Sequence, residues 1–199
     1  MEAAKPYIIY PGFAFVAYPN RDSTVYKERY AIPEAQTIIR GTLRYQGFPE
    51  FVRTLVDCGF LSEKPLGFLK PSDNPLPWKT ALAKILGSSS EKEEDLIWAI
   101  SSKSKFKNNE EKERIINGMR WLGMFSEAKI IPRDSPLDTL CATLEEKMQY
   151  GPGERDMVML QHKFDIELAD GSKVGYFKRI LIAVALIPWI TRKLVPLPL

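Results

Sequence analysis

The alternation in Thr-Ile-Ile-Arg-Gly-Thr-Leu-Arg-Tyr (37–45) constrains this chain more than any other run in it. Successive side chains of a strand leave on opposite faces. An extended 37–45 segment therefore sets Arg40, Thr42 and Arg44 on one face and Ile39, Leu43 and Tyr45 on the other. The first face is a row of donors, and the run itself offers the guanidiniums no acceptor. Arginine presents a planar fork matched to carboxylate or phosphate. Gly41 removes a side chain where another backbone or a ligand can approach. A ligand carrying several carboxylates suits such a surface. The plainer alternative is a solvated strand face whose charges pair with nearby Glu and Asp.

Prolines and glycines punctuate the rest. Tyr7 to Tyr10 and Phe13 to Tyr18 are aromatic and β-branched and lie between Pro6, Pro11 and Pro19, which predicts short strands. Pro-Asn-Arg-Asp-Ser (19–23) is a turn, with Asp22 or Ser23 placed to cap a short helix through Tyr30. Pro49 stands at a first helical position after Gly47. Phe51, Val52, Leu55 and Val56 then recur at helical spacing until Gly59. Residues 64–77 read as a connector. Trp78 to Leu86 is predicted helical, ending at Gly87. Ser90 and Asn109 each precede clustered acids, the arrangement a helix N-terminus favours. Asp-Ser-Pro (134–136) opens a further helix with Leu137, Leu140, Leu144 and Met148 on one side, broken at Gly-Pro-Gly (151–153). Asp156 to Leu168 is β-rich, and Asp170-Gly171 is a hairpin turn. Strands with helices, a charged helical block over 71–133, then helix and hairpin again predict an α+β fold with a helical insertion.

A chain of 199 residues can bury a real core in one or two domains. A net charge of +3, without a long basic patch interleaved with aromatics, argues against nucleic acid as a partner. Cys58 and Cys141 are far apart and follow no secretory leader, so a reduced, cytoplasmic setting is expected. The most apolar run, Ile180 to Ile187, is well short of the ~20 residues that cross a bilayer. It reads as a core segment or an exposed liability, and no membrane partner is expected.

His162 is the only histidine and has no second ligand beside it, so no metal site is predicted. GxSxG, HExxH, Walker and GxGxxG patterns do not occur, leaving the catalytic residue unassigned and no nucleotide site in the chain. Arg21 lies in a turn between strand and helix, where functional side chains are often held on a scaffold. With Arg40 and Arg44 it could form a cluster for several carboxylates; alternatively it is an exposed turn charge.

Longer motifs carry a resemblance. Phe-Val-Ala-Tyr-Pro-Asn-Arg-Asp-Ser (15–23), Ile-Pro-Glu-Ala (32–35), Arg-Gly-Thr-Leu-Arg-Tyr-Gln-Gly-Phe-Pro-Glu-Phe (40–51), Leu-Asp-Thr-Leu-Cys-Ala-Thr-Leu-Glu-Glu-Lys-Met-Gln-Tyr (137–150) and Glu-Arg-Asp-Met-Val-Met-Leu-Gln-His-Lys-Phe (154–164) resemble the saccharopine dehydrogenase family in its fungal, NADP-dependent, L-glutamate-forming branch. The resemblance covers about residues 3 to 173. It implies the substrate domain of a Rossmann-type oxidoreductase of lysine biosynthesis by the aminoadipate route. There, glutamate condenses with 2-aminoadipate 6-semialdehyde and NADPH reduces the imine to saccharopine. That product bears three carboxylates, the ligand class the donor face suggests on its own.

By the same resemblance Arg21 and Arg44 meet carboxylates, Thr42 binds through hydroxyl or backbone, and Leu43 binds through its backbone. Arg40 is added from geometry alone. The family's NADPH-binding Rossmann domain lies outside the matched residues, so no NADP is expected on this chain and the isolated chain is expected to be inactive. The expected division is residues 1–70 with 134–175 as the substrate-domain part, 71–133 as the helical insertion, and 176–199 as an apolar tail outside the resemblance. The leading expectation is a truncated saccharopine dehydrogenase that binds saccharopine or a glutamate-like molecule. The alternative is a non-catalytic paralogue that binds an amino-dicarboxylate or a partner protein. Uncovered sheet edges in either case favour self-association.

Overall fold

The computed structural model describes residues 3–72 and 74–185. Phe15–Pro19 (β2) is the central strand of an antiparallel sheet, with Lys5–Tyr7 (β1) on one side and Gly41–Tyr45 (β3) on the other. The β2–β3 ladder runs from Phe15 opposite Tyr45 to Pro19 opposite Gly41. Pro19 stands opposite Gly41 at a non-hydrogen-bonded position, where its nitrogen faces away from β3. One further bond, from the Asn20 N–H to the Arg40 carbonyl at 2.8 Å, tethers the two chains beyond it. The strand expected over 37–45 is thus confined to its second half, and residues 37–40 arrive as irregular chain.

Cross-strand partners share a face. Thr42 and Arg44 stand with Tyr18 and Val16, while Leu43 and Tyr45 stand with Ala17 and Phe15. The Tyr45 ring packs on Phe15 with centroids 4.9 Å apart. Gly41 lies tight against the neighbouring strand: a Cβ there would sit 3.1 Å from the Tyr18 carbonyl oxygen. Between β2 and β3 the chain makes a single helical turn, Tyr26–Arg29 (α1).

Helix boundaries follow local chemistry. Phe48–Asp57 (α2) begins after Gly47 at φ +97° and carries Pro49 in its first turn. A 3₁₀ turn, Gly67–Leu69, interrupts the connector. Trp78–Leu86 (α3) ends on Gly87 at φ +73°. Glu93–Lys103 (α4) and Asn109–Trp121 (α5) both place acids in the first turn. The Asn108 side chain caps α5 by accepting from the Glu111 N–H at 2.8 Å. Pro136–Met148 (α6) completes the helices.

These helices enclose a core centred on Phe60, Trp78, Leu82, Leu96, Ile115 and Met119. Leu55 and Leu69 join it from before residue 71, and Leu140 from after residue 133. The buried face of α6 differs from the expected leucine stripe. It consists of Pro136, Thr139, Leu140, Ala142 and Thr143, while Met148 is exposed. Its threonines are buried because each has a partner: Thr143 accepts from the Trp78 indole, and Thr139 from the Arg133 N–H at 3.1 Å.

The described residues form two units, 3–8 with 12–147 and 9–11 with 148–185. The second holds an antiparallel hairpin, Arg155–Glu167 (β4) and Lys173–Ala185 (β5), registered from Arg155 opposite Ala185 to Glu167 opposite Lys173. Its turn is the expected one. Gly171 adopts φ +79°, and the Asp170 carboxylate accepts from the Ser172 N–H at 2.9 Å. Part of the apolar run thus pairs as β5; residues 186–199 of the expected tail lie outside the described residues. The fold is α+β, as expected. No helix among the described residues is long and apolar enough to cross a membrane.

Candidate functional site

The turn after β2 is built from its own side chains. The Asp22 carboxylate accepts from the Thr24 N–H at 2.9 Å and from the Thr24 hydroxyl at 2.8 Å, forming an Asx turn. Those two donors hold the Asp22 carboxyl below the usual carboxylate range. The buried Ser23 hydroxyl donates back to the Arg21 carbonyl at 3.1 Å. The turn is fixed while the Arg21 side chain stays exposed.

Helix α1 faces the same space. The Arg40 guanidinium lies over the Tyr26 ring, 4.4 Å from its centroid, and its Nη1 donates to the Tyr26 hydroxyl. Tyr26 stacks in turn on Tyr30 at 5.4 Å. Tyr18, Asn20, Arg21, Asp22, Tyr26 and Arg40 are among the residues that line one open recess of about 630 Å³. Although Asp22 lines it too, no carboxylate among the described residues forms an ion pair with Arg21, Arg40 or Arg44. Arg53, Arg120 and Arg133, by contrast, each find a glutamate. Among the described residues the Arg21, Arg40 and Arg44 guanidiniums therefore have no neutralising acid.

Of the residues expected from sequence, Arg21 and Arg40 come together in the recess. Thr42 stands beside it, donating its hydroxyl to Asn20 Oδ1 at 2.5 Å. Leu43 and Arg44 do not line it. Arg44 turns along its own strand: its Nη1 donates to the Leu43 carbonyl at 2.9 Å, and its guanidinium sits 5.3 Å from the Phe48 ring. Sequence reasoning missed Tyr26 and Asn20. An aromatic residue in the helical turn after an Arg-bearing bend was the available signal, but nothing linear ties Tyr26 to Arg40.

Other candidate chemistry is quiet. His162 is exposed on β4 and stacks on Phe164, with ring centroids 6.4 Å apart. Among the described residues no group of His, Cys, Asp and Glu could hold a metal ion. Burial, aided by the Asp57 charge, pushes the Cys58 thiol up to about 12, which leaves it protonated and unreactive at neutral pH. What remains is the recess walled by Tyr18 and Tyr26 and lined by Arg21, Arg40 and Asp22.

Residues 1–190 match the family described as saccharopine dehydrogenase C-terminal domain, a span that includes residues 174–190, expected to fall outside the resemblance. The chain is 62% identical over 173 residues to the saccharopine dehydrogenase [NADP(+), L-glutamate-forming] of Schizosaccharomyces pombe, covering 87% of this chain and 38% of that protein. To bovine mitochondrial alpha-aminoadipic semialdehyde synthase it is 34% identical, covering 86% of this chain and 18% of the relative. The structure of apo histidine-tagged saccharopine dehydrogenase (L-Glu forming) from Saccharomyces cerevisiae superposes with a TM-score of 0.85 at 55% identity, covering 92% of this chain and 40% of that one. The chain thus spans well under half the length of these relatives, and it belongs to the saccharopine dehydrogenase family.

Proposed function

We propose that residues 20–44 form part of the carboxylate-binding surface of a saccharopine dehydrogenase, taking saccharopine or a glutamate-like amino-dicarboxylate. The observation that carries this reading is the pair Arg21 and Arg40, lining one recess without a carboxylate partner among the described residues. In this reading Arg21 and Arg40 receive one carboxylate and Arg44 receives another after leaving the Leu43 carbonyl. Thr42 contributes its hydroxyl or backbone, and Leu43 its backbone once Arg44 has released it. The whole-protein reaction is the NADPH-dependent condensation of L-glutamate with 2-aminoadipate 6-semialdehyde. Within it, these residues bind and orient the polyanionic partner. Residues 71–133 are read as a helical insertion in the substrate domain of this Rossmann-type enzyme, which works in the cytoplasm.

The described residues do not fit a dinucleotide. Every strand pair among them is antiparallel, so no parallel βαβ crossover sets a glycine-rich turn at a helix N-terminus for a pyrophosphate. Residues 1–199 alone are therefore read as a binding fragment without turnover. The same observation favours a second reading, a non-catalytic amino-dicarboxylate-binding paralogue. Exposed Phe164, Ile166, Val174 and Tyr176 on the β4–β5 hairpin favour self-association, which light scattering across a concentration series would reveal.

Calorimetric titration of the chain with saccharopine, glutarate and glutaramide tests the binding reading. Uptake of the two carboxylates but not the neutral diamide supports it, and equal uptake of glutarate and glutaramide refutes it. A coupled assay with saccharopine and NADP at high protein concentration should stay at background, and turnover above background overturns the inactive assignment.

A further inference from the structure

We infer that Tyr26 is a positioning residue that fixes Arg40 as the oriented arginine of the recess, leaving Arg21 as its mobile counterpart. This rests on the carboxylate-binding reading above and deepens it. A free arginine side chain loses substantial rotamer entropy when it is immobilised on a ligand. Arg40 is held beforehand from two directions, by the Tyr26 hydroxyl at Nη1 and by the ring face 4.4 Å beneath its guanidinium carbon.

Tyr26 is itself restrained. Its ring stacks on Tyr30 at 5.4 Å, and the Arg29 guanidinium lies 5.9 Å from its centroid. Ser23 and Thr24 anchor the start of α1, the Tyr26 N–H donating to the Ser23 carbonyl at 3.1 Å and the Lys27 N–H to the Thr24 carbonyl at 3.0 Å. The backbone of Arg40 is tied too, because its carbonyl accepts from Asn20 across the end of the ladder at 2.8 Å. With Nη1 engaged by the phenol, the edge formed by Nε and Nη2 remains for a two-point carboxylate contact. Arg21 has no such support: among the described residues only its carbonyl is bonded. One fixed fork and one mobile cation is an arrangement that selects the orientation of a carboxylate as well as its charge.

The test uses the full 199-residue chain with Tyr26→Phe, Tyr26→Leu and Arg40→Lys, read in two ways. In the unliganded chain, the arginine Nε–Hε NMR signal lost in Arg40→Lys should exchange with water more slowly than that of Arg21, and in Tyr26→Leu it should exchange as fast. In calorimetric titration, Tyr26→Phe should weaken saccharopine about threefold to tenfold, the span of one lost hydrogen bond, with an unchanged melting midpoint. Tyr26→Leu should weaken it further. Positioning is overturned if the Arg40 signal of the wild type exchanges as fast as that of Arg21, or if both Tyr26 variants bind as the wild type does while Arg40→Lys binds weakly. If Arg40→Lys also binds as the wild type does, the carboxylate-binding reading itself fails, and the exchange measurement alone decides whether Tyr26 holds Arg40.

Discussion

The indole N–H of Trp78 donates to the hydroxyl of Thr143 at 3.1 Å, joining the first residue of α3 to α6 across 65 positions of sequence. Trp78 is 2% and Thr143 5% exposed, so water cannot replace either partner. Thr143→Val keeps the shape and removes the acceptor. It should cost about 1–3 kcal/mol, the penalty for an orphaned buried donor. Urea unfolding measures it, and unchanged stability would mean that the indole is solvated.

Gly47 sits at φ +97°, and a Cβ there would lie 1.9 Å from Nη1 of Arg114. Gly47→Ala therefore combines left-handed backbone strain with a displaced guanidinium, and a loss of about 1–3 kcal/mol is expected. Gly12 offers the control: its φ is +87°, yet nothing lies within 4 Å of its added Cβ. Gly12→Ala should pay only the backbone part, so denaturation midpoints should rank wild type, Gly12→Ala, then Gly47→Ala.

The Cys58 thiol titrates near 9.0 when exposed and about 12 in the fold, chiefly through burial and then through Asp57. Above pH 9 the unfolded chain gives up a proton that the folded chain keeps, so this group lowers stability as pH rises from about 9 toward about 12. Cys58→Ala should flatten that part of the stability profile. A thiol reagent at pH 8 should leave Cys58 untouched in the native chain and label it after unfolding.

Features set by one or two residues were legible in the sequence. Gly87 ends α3 and Asp170-Gly171 turns the hairpin because the residue itself supplies the conformation. The first half of the expected strand, residues 37–40, lies outside the ladder, which ends at Gly41 opposite Pro19, and alternation within 37–45 carries no mark of where the partner strand ends. The leucine stripe of α6 misled because Thr139 and Thr143 are buried by partners far along the chain. In the recess, alternation grouped Arg40 with Arg44, but side-chain packing separates them. Tyr26 captures the first, and Phe48 with the Leu43 carbonyl captures the second.

Arg133 grips Glu145 with two contacts, Nη1 to Oε1 at 3.2 Å and Nη2 to Oε2 at 2.8 Å. Its hydrogen bonds hold the Glu145 carboxyl below the usual range. The stabilisation from this pair is present above the ordinary glutamate value of 4.5 and is lost as pH falls through the lowered one. Carboxyl NMR titration should show the Glu145 midpoint return to the ordinary range in Arg133→Gln.

The carboxylate-binding claim is tested most directly by titrating saccharopine into the wild-type chain and into Arg21→Gln/Arg40→Gln, with melting midpoints compared as the folding control. The double variant should stay folded and bind at least about tenfold more weakly, the loss of charge-assisted contacts to a carboxylate. A folded double variant that binds saccharopine as tightly as the wild type would contradict it.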